Sequence, residues 1–150
     1  MNKTDRKISK PGNRLGDLAE HIIAPKLLEK FNRLKFNFGR IGHNVRFRDS
    51  GGNFVAKADI LLENGDTVMA VAVKSKVTTD DVKEHTVRME KLRAYADEHG
   101  DKRQVMGAVA SAIIPESVKS FAFKHGFYVI EQAGDTVSID APQGFVPQKW

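Results

Sequence analysis

Two strand-like runs joined by a short polar turn constrain the fold of this 150-residue chain more than any other feature. The runs cover residues 54–62 and 67–73, and Asn64 and Gly65 lie between them. Asn-Gly between apolar runs is a strong hairpin signal, because both central residues of the favoured two-residue turn take positive φ. The sequence therefore predicts an antiparallel β-hairpin at this point.

The turn also predicts the register of the hairpin. If Asn64 and Gly65 are the two loop residues, Asp59 pairs with Ala70, and alternate side chains point to opposite faces. One face is then uniformly apolar: Ala58, Ile60, Leu62, Met69, Val71 and Val73. The other face carries Lys57, Asp59, Leu61, Val68, Ala70, Ala72 and Lys74. The first set predicts a core face, and the second places Asp59 and two lysines at one end.

The flanking patterns predict an alternating α/β order. Apolar residues at helical spacing predict a first helix over residues 14–32, which Pro25 kinks or divides. A second helix has its N-cap in the Thr78–Asp81 segment and Gly100 as its C-cap. The other predicted elements are a strand over 39–48, a strand over 105–114, a helix over 115–125, and strands over 127–131 and 136–139.

This order predicts a mixed central sheet flanked by helices. The first three strands form an antiparallel meander, and a right-handed helical crossover leads from the third strand to a parallel fourth. We expect a flexible basic arm over 1–13, a single α/β domain over 14–141 and an irregular tail over 142–150.

Charge and composition narrow the class of protein and partner. Residues 1–48 contain 12 Lys and Arg against 4 Asp and Glu, and the whole chain has a formal charge of +5. Such a basic segment is typical either of a polyanion partner, most commonly nucleic acid, or of a merely solvated face. The absence of cysteine excludes disulfides and thiol nucleophiles and fits a cytoplasmic location. No apolar run approaches the roughly 18 residues that span a membrane, so we expect no membrane association.

The mixed face of the hairpin carries the candidate chemistry. Position 72 and Lys74 share a face of one strand, and Asp59 lies on the neighbouring strand, diagonal to position 72. Diagonal neighbours are about 7–8 Å apart, which suits two side chains that converge on one divalent ion. Lys74 is then placed to reach a phosphate or an attacking water, and the helix carboxylate of Glu20 is placed to complete the site.

These residues resemble the PD-(D/E)XK nuclease superfamily. The resemblance rests on Ala58-Asp59-Ile60, the hairpin, and Ala72-Val73-Lys74, with Gly16-Asp17-Leu18-Ala19-Glu20 similar to the first-helix carboxylate of resolvase-like branches. It covers roughly residues 14–115 and points to a bacterial branch of that superfamily. It implies a restriction-endonuclease-like fold and phosphodiester hydrolysis with Mg or Mn. In that pattern Asp59 and Glu20 hold the metal, and Lys74 positions or activates water.

The chain departs from that pattern at Ala72, where the superfamily has an acidic residue. Alanine offers no oxygen to a hard cation, so we expect a nuclease domain that is inactive or weakened as written. Three explanations stay open: a natural pseudo-nuclease, a substitute carboxylate, or an introduced knock-out. Glu63 is a poor substitute because it lies about 13 Å from Asp59 along the strand. Asp80, Asp81 and Glu84 have the simpler role of helix capping.

Basic residues on and near the first strands are the candidates for phosphate contacts: Arg40, Arg46, Arg48, Lys57 and Lys76, with Arg33 and Lys35 nearby. Such contacts give affinity without sequence preference. The five histidines are predicted to be structural or exposed. DNA is the expected partner and a homodimer is possible. The alternative is a pseudo-nuclease that binds nucleic acid or a protein without catalysis.

Overall fold

The computed structural model describes residues 18–150, with side chains from His21 onward. Six strands form one sheet in the order in which they occur along the chain. The strands are β1 (Arg40–Arg48), β2 (Phe54–Glu63), β3 (Thr67–Val73), β4 (Gln104–Ser111), β5 (Tyr128–Ala133) and β6 (Thr136–Asp140). The helices are α1 (Ala24–Arg33), α2 (Thr79–Glu98) and α3 (Glu116–Lys124).

The sheet is mixed, as the sequence predicted. β1, β2 and β3 form an antiparallel meander, β3 pairs with β4 in parallel across the α2 crossover, and β4 pairs with β5 in parallel. β6 returns antiparallel to β5. The predicted α/β architecture is therefore confirmed.

Two apolar clusters cover the two faces of this sheet. The first joins α1 to the sheet through Leu27 and Phe31, which are fully buried. The second joins α2 and α3 to the opposite face through Val82, Met89 and Ala122. The molecule is thus a three-layer arrangement in which the sheet has α1 on one face and α2 with α3 on the other.

Pro25 divides the first helix, as predicted. The chain from Leu18 to Ile23 winds as a π-helix, and the α-helical geometry of α1 begins at Ala24. Pro25 then lies in the first turn of α1, a position that proline favours. The predicted start at Arg14 lies outside the described residues.

α2 begins and ends where its capping residues predicted. The Thr78 hydroxyl accepts a hydrogen bond from the Asp81 N–H at 3.2 Å, and the Asp81 carboxylate accepts one from the Thr78 N–H at 2.9 Å. This is a capping box, which fixes the first turn. At the other end, Gly100 has a φ of 69°, as the position after a helix often requires.

The register of the β2–β3 hairpin differs from the predicted one. Glu63 pairs with Val68 and Leu61 with Ala70, so Gly65 and Asp66 are the central turn residues. Asn64 lies just before them and caps the turn, because its Oδ1 accepts hydrogen bonds at 2.7 Å from both the Asp66 and the Thr67 N–H. The prediction that Asp59 faces Ala70 is therefore wrong.

The predicted core face is also corrected at one residue. Ile60 and four of its predicted companions pack in the first cluster, but Ala58 packs in the second. The reversal coincides with Asn44 on β1, which has a φ of 51° and interrupts the pairing between His43–Ile60 and Val45–Ala58. A left-handed residue inside a strand disturbs the alternation of side chains.

The C-terminal segment is irregular, as predicted, but it is anchored to the domain. The Trp150 ring stacks on Phe127 with centroids 5.2 Å apart, and the Trp150 N–H donates to the Val105 carbonyl at 2.8 Å. The predicted basic arm, residues 1–13, lies outside the described residues. In the part of the chain that the structure describes, no helix is long and apolar enough to cross a membrane.

Candidate functional site

At the open end of the β2–β3 hairpin, regular pairing between the two strands stops just before Asp59. Regular pairing ends at Ile60–Val71, although β2 reaches back to Phe54. The Asp59 Oδ2 atom accepts a hydrogen bond from the Val73 N–H at 2.8 Å. A side-chain carboxylate thus satisfies a backbone donor at the point where the regular ladder stops, and this anchors Asp59.

Position 72 directly precedes Val73, whose N–H donates to the Asp59 carboxylate. Ala72 is 5% exposed and packs in the second apolar cluster. Position 72 therefore presents a buried methyl group, which offers no ligand to a metal ion.

A cleft of about 610 Å³ opens between this end of the hairpin and α2. Both strands and the exposed side of α2 contribute to it. The lining residues are Phe54, Val55, Ala56, Lys57, Asp59, Val73, Lys74, Glu84, Val87, Arg88 and Lys91. Four of them are Lys or Arg and two are acidic, so the cleft has a surplus of positive charge.

Asp59 and Lys74 line this cleft but do not form an ion pair with each other. Asp59 Oδ1 lies 3.2 Å from Lys57 Nζ, and Lys74 Nζ lies 3.9 Å from Asp81 Oδ1. The Lys74 side chain is 37% exposed, and an exposed pair at this distance contributes little. The Lys74 ammonium is therefore available to an anion in the cleft.

Arg88 is held at the cleft by a buried histidine. His85 is completely buried, and its Nε2 donates to the Ala70 carbonyl at 3.1 Å. Its Nδ1 then accepts a hydrogen bond from Arg88 Nη1 at 2.7 Å. Burial, with the nearby Arg88 charge, lowers the pKa of His85 from 6.5 to about 3. The imidazole is neutral at physiological pH, and its tautomer orients the Arg88 guanidinium.

The side chains that the structure describes, from His21 onward, do not fit a divalent metal ion. Within residues 21–150, no group of three or more His, Cys, Asp or Glu side chains is arranged to hold one. Both Asp59 oxygens already have partners, Val73 N–H and Lys57, and Ala72 supplies no ligand. Mg²⁺ and Mn²⁺ need several oxygen ligands. The side chain of Glu20, the other predicted ligand, lies outside those described.

The predicted phosphate contacts separate into two groups. Lys57 lines the cleft, Arg46 is its partner across β1–β2, and Arg48 is the partner of Phe54. Lys76 is exposed in the turn after β3. Arg40 instead lies at the other end of β1, where it is 3.6 Å from Glu63.

Sequence reasoning missed the contribution of α2 and the first residue of β2. Glu84, Val87, Arg88 and Lys91 follow the spacing of one helical face, and Phe54 lies opposite them. That spacing was visible in the sequence. However, it did not show that this face of α2 borders a cleft, because charged helix faces are usually solvated.

Comparison with solved structures identifies the fold. A repair endonuclease from Pyrococcus abyssi is similar, with a TM-score of 0.50 and 15% sequence identity. The restriction-endonuclease-like fold is therefore shown for this chain. The similarity covers 78% of this chain and 47% of the endonuclease, so the chain spans about half the length of that protein.

Two further nucleases show weaker similarity to this restriction-endonuclease-like domain. One is EndoMS in a complex with double-stranded DNA, with a TM-score of 0.38, 20% identity, and coverage of 71% of this chain and 45% of that one. The other is the small subunit of the heterodimeric restriction endonuclease R.BspD6I, with a TM-score of 0.35, 14% identity, and coverage of 79% and 70%. No protein-family model and no curated protein matches the sequence.

Proposed function

We propose that this chain is a metal-dependent DNA endonuclease domain of the PD-(D/E)XK type, whose phosphodiesterase site is inactive or weakened as written because Ala72 replaces an acidic metal ligand. The observation that carries the proposal is that Asp59 and Lys74 line one cleft at the open end of the β2–β3 hairpin, where the Asp59 carboxylate accepts the Val73 N–H. The restriction-endonuclease-like fold and the repair endonuclease of similar structure support DNA as the substrate class.

The charge of the cleft favours a phosphate-rich partner. Lys57, Lys74, Arg88 and Lys91 line it against only Asp59 and Glu84. A concave surface of one sign attracts a polyanion and concentrates it, and each phosphate that is neutralised releases counterions. We expect this cleft to bind the DNA backbone without a marked sequence preference.

Hydrolysis would need an acidic side chain at position 72. In the superfamily pattern, Mg²⁺ or Mn²⁺ supplies charge stabilisation at the phosphate and an activated water. This chain has Asp59 and Lys74 in the cleft, but alanine at position 72. Lys74 is placed to hold a phosphate oxygen or orient a water. Binding of DNA is then retained, and cleavage is lost or weakened.

A cleavage assay of position 72 variants tests the proposal. Five proteins are compared with linear, single-stranded, flapped and four-way DNA in Mg²⁺ or Mn²⁺: the chain as written, Asp59→Asn, Ala72→Glu, Ala72→Gln and Ala72→Glu with Asp59→Asn. Thermal melting confirms that each variant is folded. Ala72→Gln is the matched control, because it has the size of Glu without its charge.

We expect Ala72→Glu alone to cut DNA, and only with metal. Cleavage by the chain as written that Asp59→Asn abolishes would mean that another carboxylate completes the site. If no folded variant cuts, the hydrolytic ancestry of this site is rejected, and DNA binding without catalysis is the function to test. Cytoplasmic location and a homodimeric state stay predictions.

A further inference from the structure

We propose that the cleft takes an unpaired nucleotide, whose base stacks on Phe54 while its phosphates contact Lys74 and Arg88. This inference rests on the proposed function and names the DNA structure that the site prefers. A continuous duplex would bind only along the rim of the cleft.

Phe54 is an exposed aromatic residue inside a cationic cleft. It is 55% exposed, and Val87, which lines the same cleft from α2, is 50% exposed. Single exposed apolar side chains are common on protein surfaces. These two, however, lie in one concavity among four Lys and Arg side chains, so the cleft offers an apolar wall and a cationic wall to the same ligand.

This combination matches the chemistry of a single-stranded nucleotide. Proteins that bind single strands pair a positively charged groove for the backbone with aromatic side chains on which bases stack. The base faces of a duplex are already covered by neighbouring bases and cannot reach Phe54. The cleft volume of about 610 Å³ is also in the range of small-ligand sites, roughly 300–1,000 Å³.

The Arg88 side chain is already held in one orientation in the protein without DNA. The neutral, buried His85 accepts its Nη1 donor at 2.7 Å, which restricts the guanidinium at the cleft wall. A restrained side chain loses less conformational entropy on binding, and guanidinium geometry suits phosphate oxygens. Lys74 provides a second cation from the sheet side of the same cleft.

Fluorescence anisotropy with labelled oligonucleotides tests this inference. A single strand and a duplex of the same length are titrated with the chain as written, Phe54→Ala, Phe54→Leu, Phe54→Trp and Arg88→Gln. Val87→Ala is the control for loss of apolar area without loss of an aromatic ring. A single strand with 2-aminopurine reports base stacking directly through its fluorescence.

We expect the chain as written to bind the single strand more tightly than the duplex. Phe54→Ala and Phe54→Leu should weaken single-strand binding by about 5- to 150-fold, the range that loss of one stacked base gives, with little change for the duplex. Phe54→Trp should retain single-strand affinity and 2-aminopurine quenching. Arg88→Gln should weaken binding of both DNAs.

Other results would overturn the inference in distinguishable ways. If Phe54→Ala changes the affinity for neither DNA while Arg88→Gln weakens the binding of both, the base-stacking role is wrong. The proposal that the cleft binds DNA is then retained. If no variant changes either affinity, the cleft does not bind DNA and the proposed function fails as well. If sedimentation shows that the chain as written is a dimer and that Phe54→Ala is a monomer, Phe54 belongs to an interface between copies of the chain, and the inference is wrong.

Discussion

The two ends of the β2–β3 hairpin differ in how closely their charged side chains are paired. At the turn, Arg103 reaches Asp101 at 2.7 Å, Glu63 at 3.1 Å and the Asn64 carbonyl at 3.2 Å. Its hydrogen bond lowers the pKa of Asp101, and that carboxylate in turn raises the pKa of Arg103. The turn end is thus a set of matched charges that ties β2 to the start of β4.

At the open end, the cations outnumber the carboxylates and are paired less closely. Lys57 pairs with Asp59, but Lys74 has only a 3.9 Å contact with Asp81, and Arg88 is bonded to a neutral histidine. The matched end stabilises the fold, whereas the unmatched end leaves positive charge for a ligand. This difference is one reason why we propose the open end as the functional end of the hairpin.

The largest expected effect is on stability in acid. The two ends of the hairpin should lose stability in different pH ranges. His85 excludes a proton in the folded state, since burial lowers its pKa from 6.5 to about 3. The unfolded state therefore binds more protons below pH 6.5. Unfolding free energy should fall as pH drops from about 6.5 towards 3, with a slope approaching about 1.4 kcal/mol per pH unit. Urea unfolding at a series of pH values measures this slope.

Two variants show which residue causes each part of the stability loss at low pH. His85→Gln keeps a donor and an acceptor but does not titrate, so it should remove the loss between pH 6.5 and 3. At the turn end, the lowered pKa of Asp101 gives stability above its ordinary value of 3.8 that is lost only below it. Arg103→Gln should weaken that second phase alone. An unchanged first phase in His85→Gln would contradict the assignment.

The next largest effect concerns DNA affinity at the open end. Lys74→Gln combined with Lys91→Gln removes two cations that have no close hydrogen-bonded partner. We expect affinity for DNA to fall roughly 10- to 100-fold at low salt, because hydrogen bonds to charged groups contribute about 1.5–3 kcal/mol at most. Melting temperature should hardly change. Anisotropy titration and thermal unfolding measure the two quantities, and a loss of stability without loss of affinity would contradict the comparison.

A smaller effect is expected at the turn end. Arg103→Gln leaves Glu63 and Asp101 without their shared cation, and we expect a loss of about 1–2 kcal/mol of unfolding free energy, since the cluster is partly exposed. DNA affinity should stay within about twofold, because this cluster lies away from the cleft. Urea unfolding and anisotropy on the same preparation test both statements. A marked loss of affinity would move the DNA-binding surface to the turn end.

The smallest effect is expected from Asp59→Asn. The amide oxygen still accepts the Val73 N–H, so stability should change by less than about 0.5 kcal/mol. Loss of the negative charge reduces repulsion of phosphate and frees Lys57, and we expect DNA affinity to rise about two- to fivefold. Weaker binding by this folded variant would show that the carboxylate itself contacts the ligand.

Local signals predicted the elements, and the packing between elements decided the site. The capping box of Thr78 and Asp81 and the five buried positions of α2 followed from spacing alone. The hairpin register could not be predicted in this way, because an Asn can either be a central turn residue or cap the turn with its side chain. In the structure Asn64 caps the turn. Asp59 and Lys74 were predicted from their strands, and both line the cleft. Phe54 and Arg88 join them only through the position of α2 over the sheet, which the sequence does not encode locally.

The salt dependence of DNA affinity tests most directly whether the open end is the binding end. Affinity is measured against salt concentration for the chain as written, Lys74→Gln and Arg103→Gln. Each lost phosphate contact should reduce the slope of log affinity against log salt by about 0.7–0.9. We predict that reduction for Lys74→Gln and an unchanged slope for Arg103→Gln. A reduced slope for Arg103→Gln with none for Lys74→Gln would contradict the assignment of function to the open end.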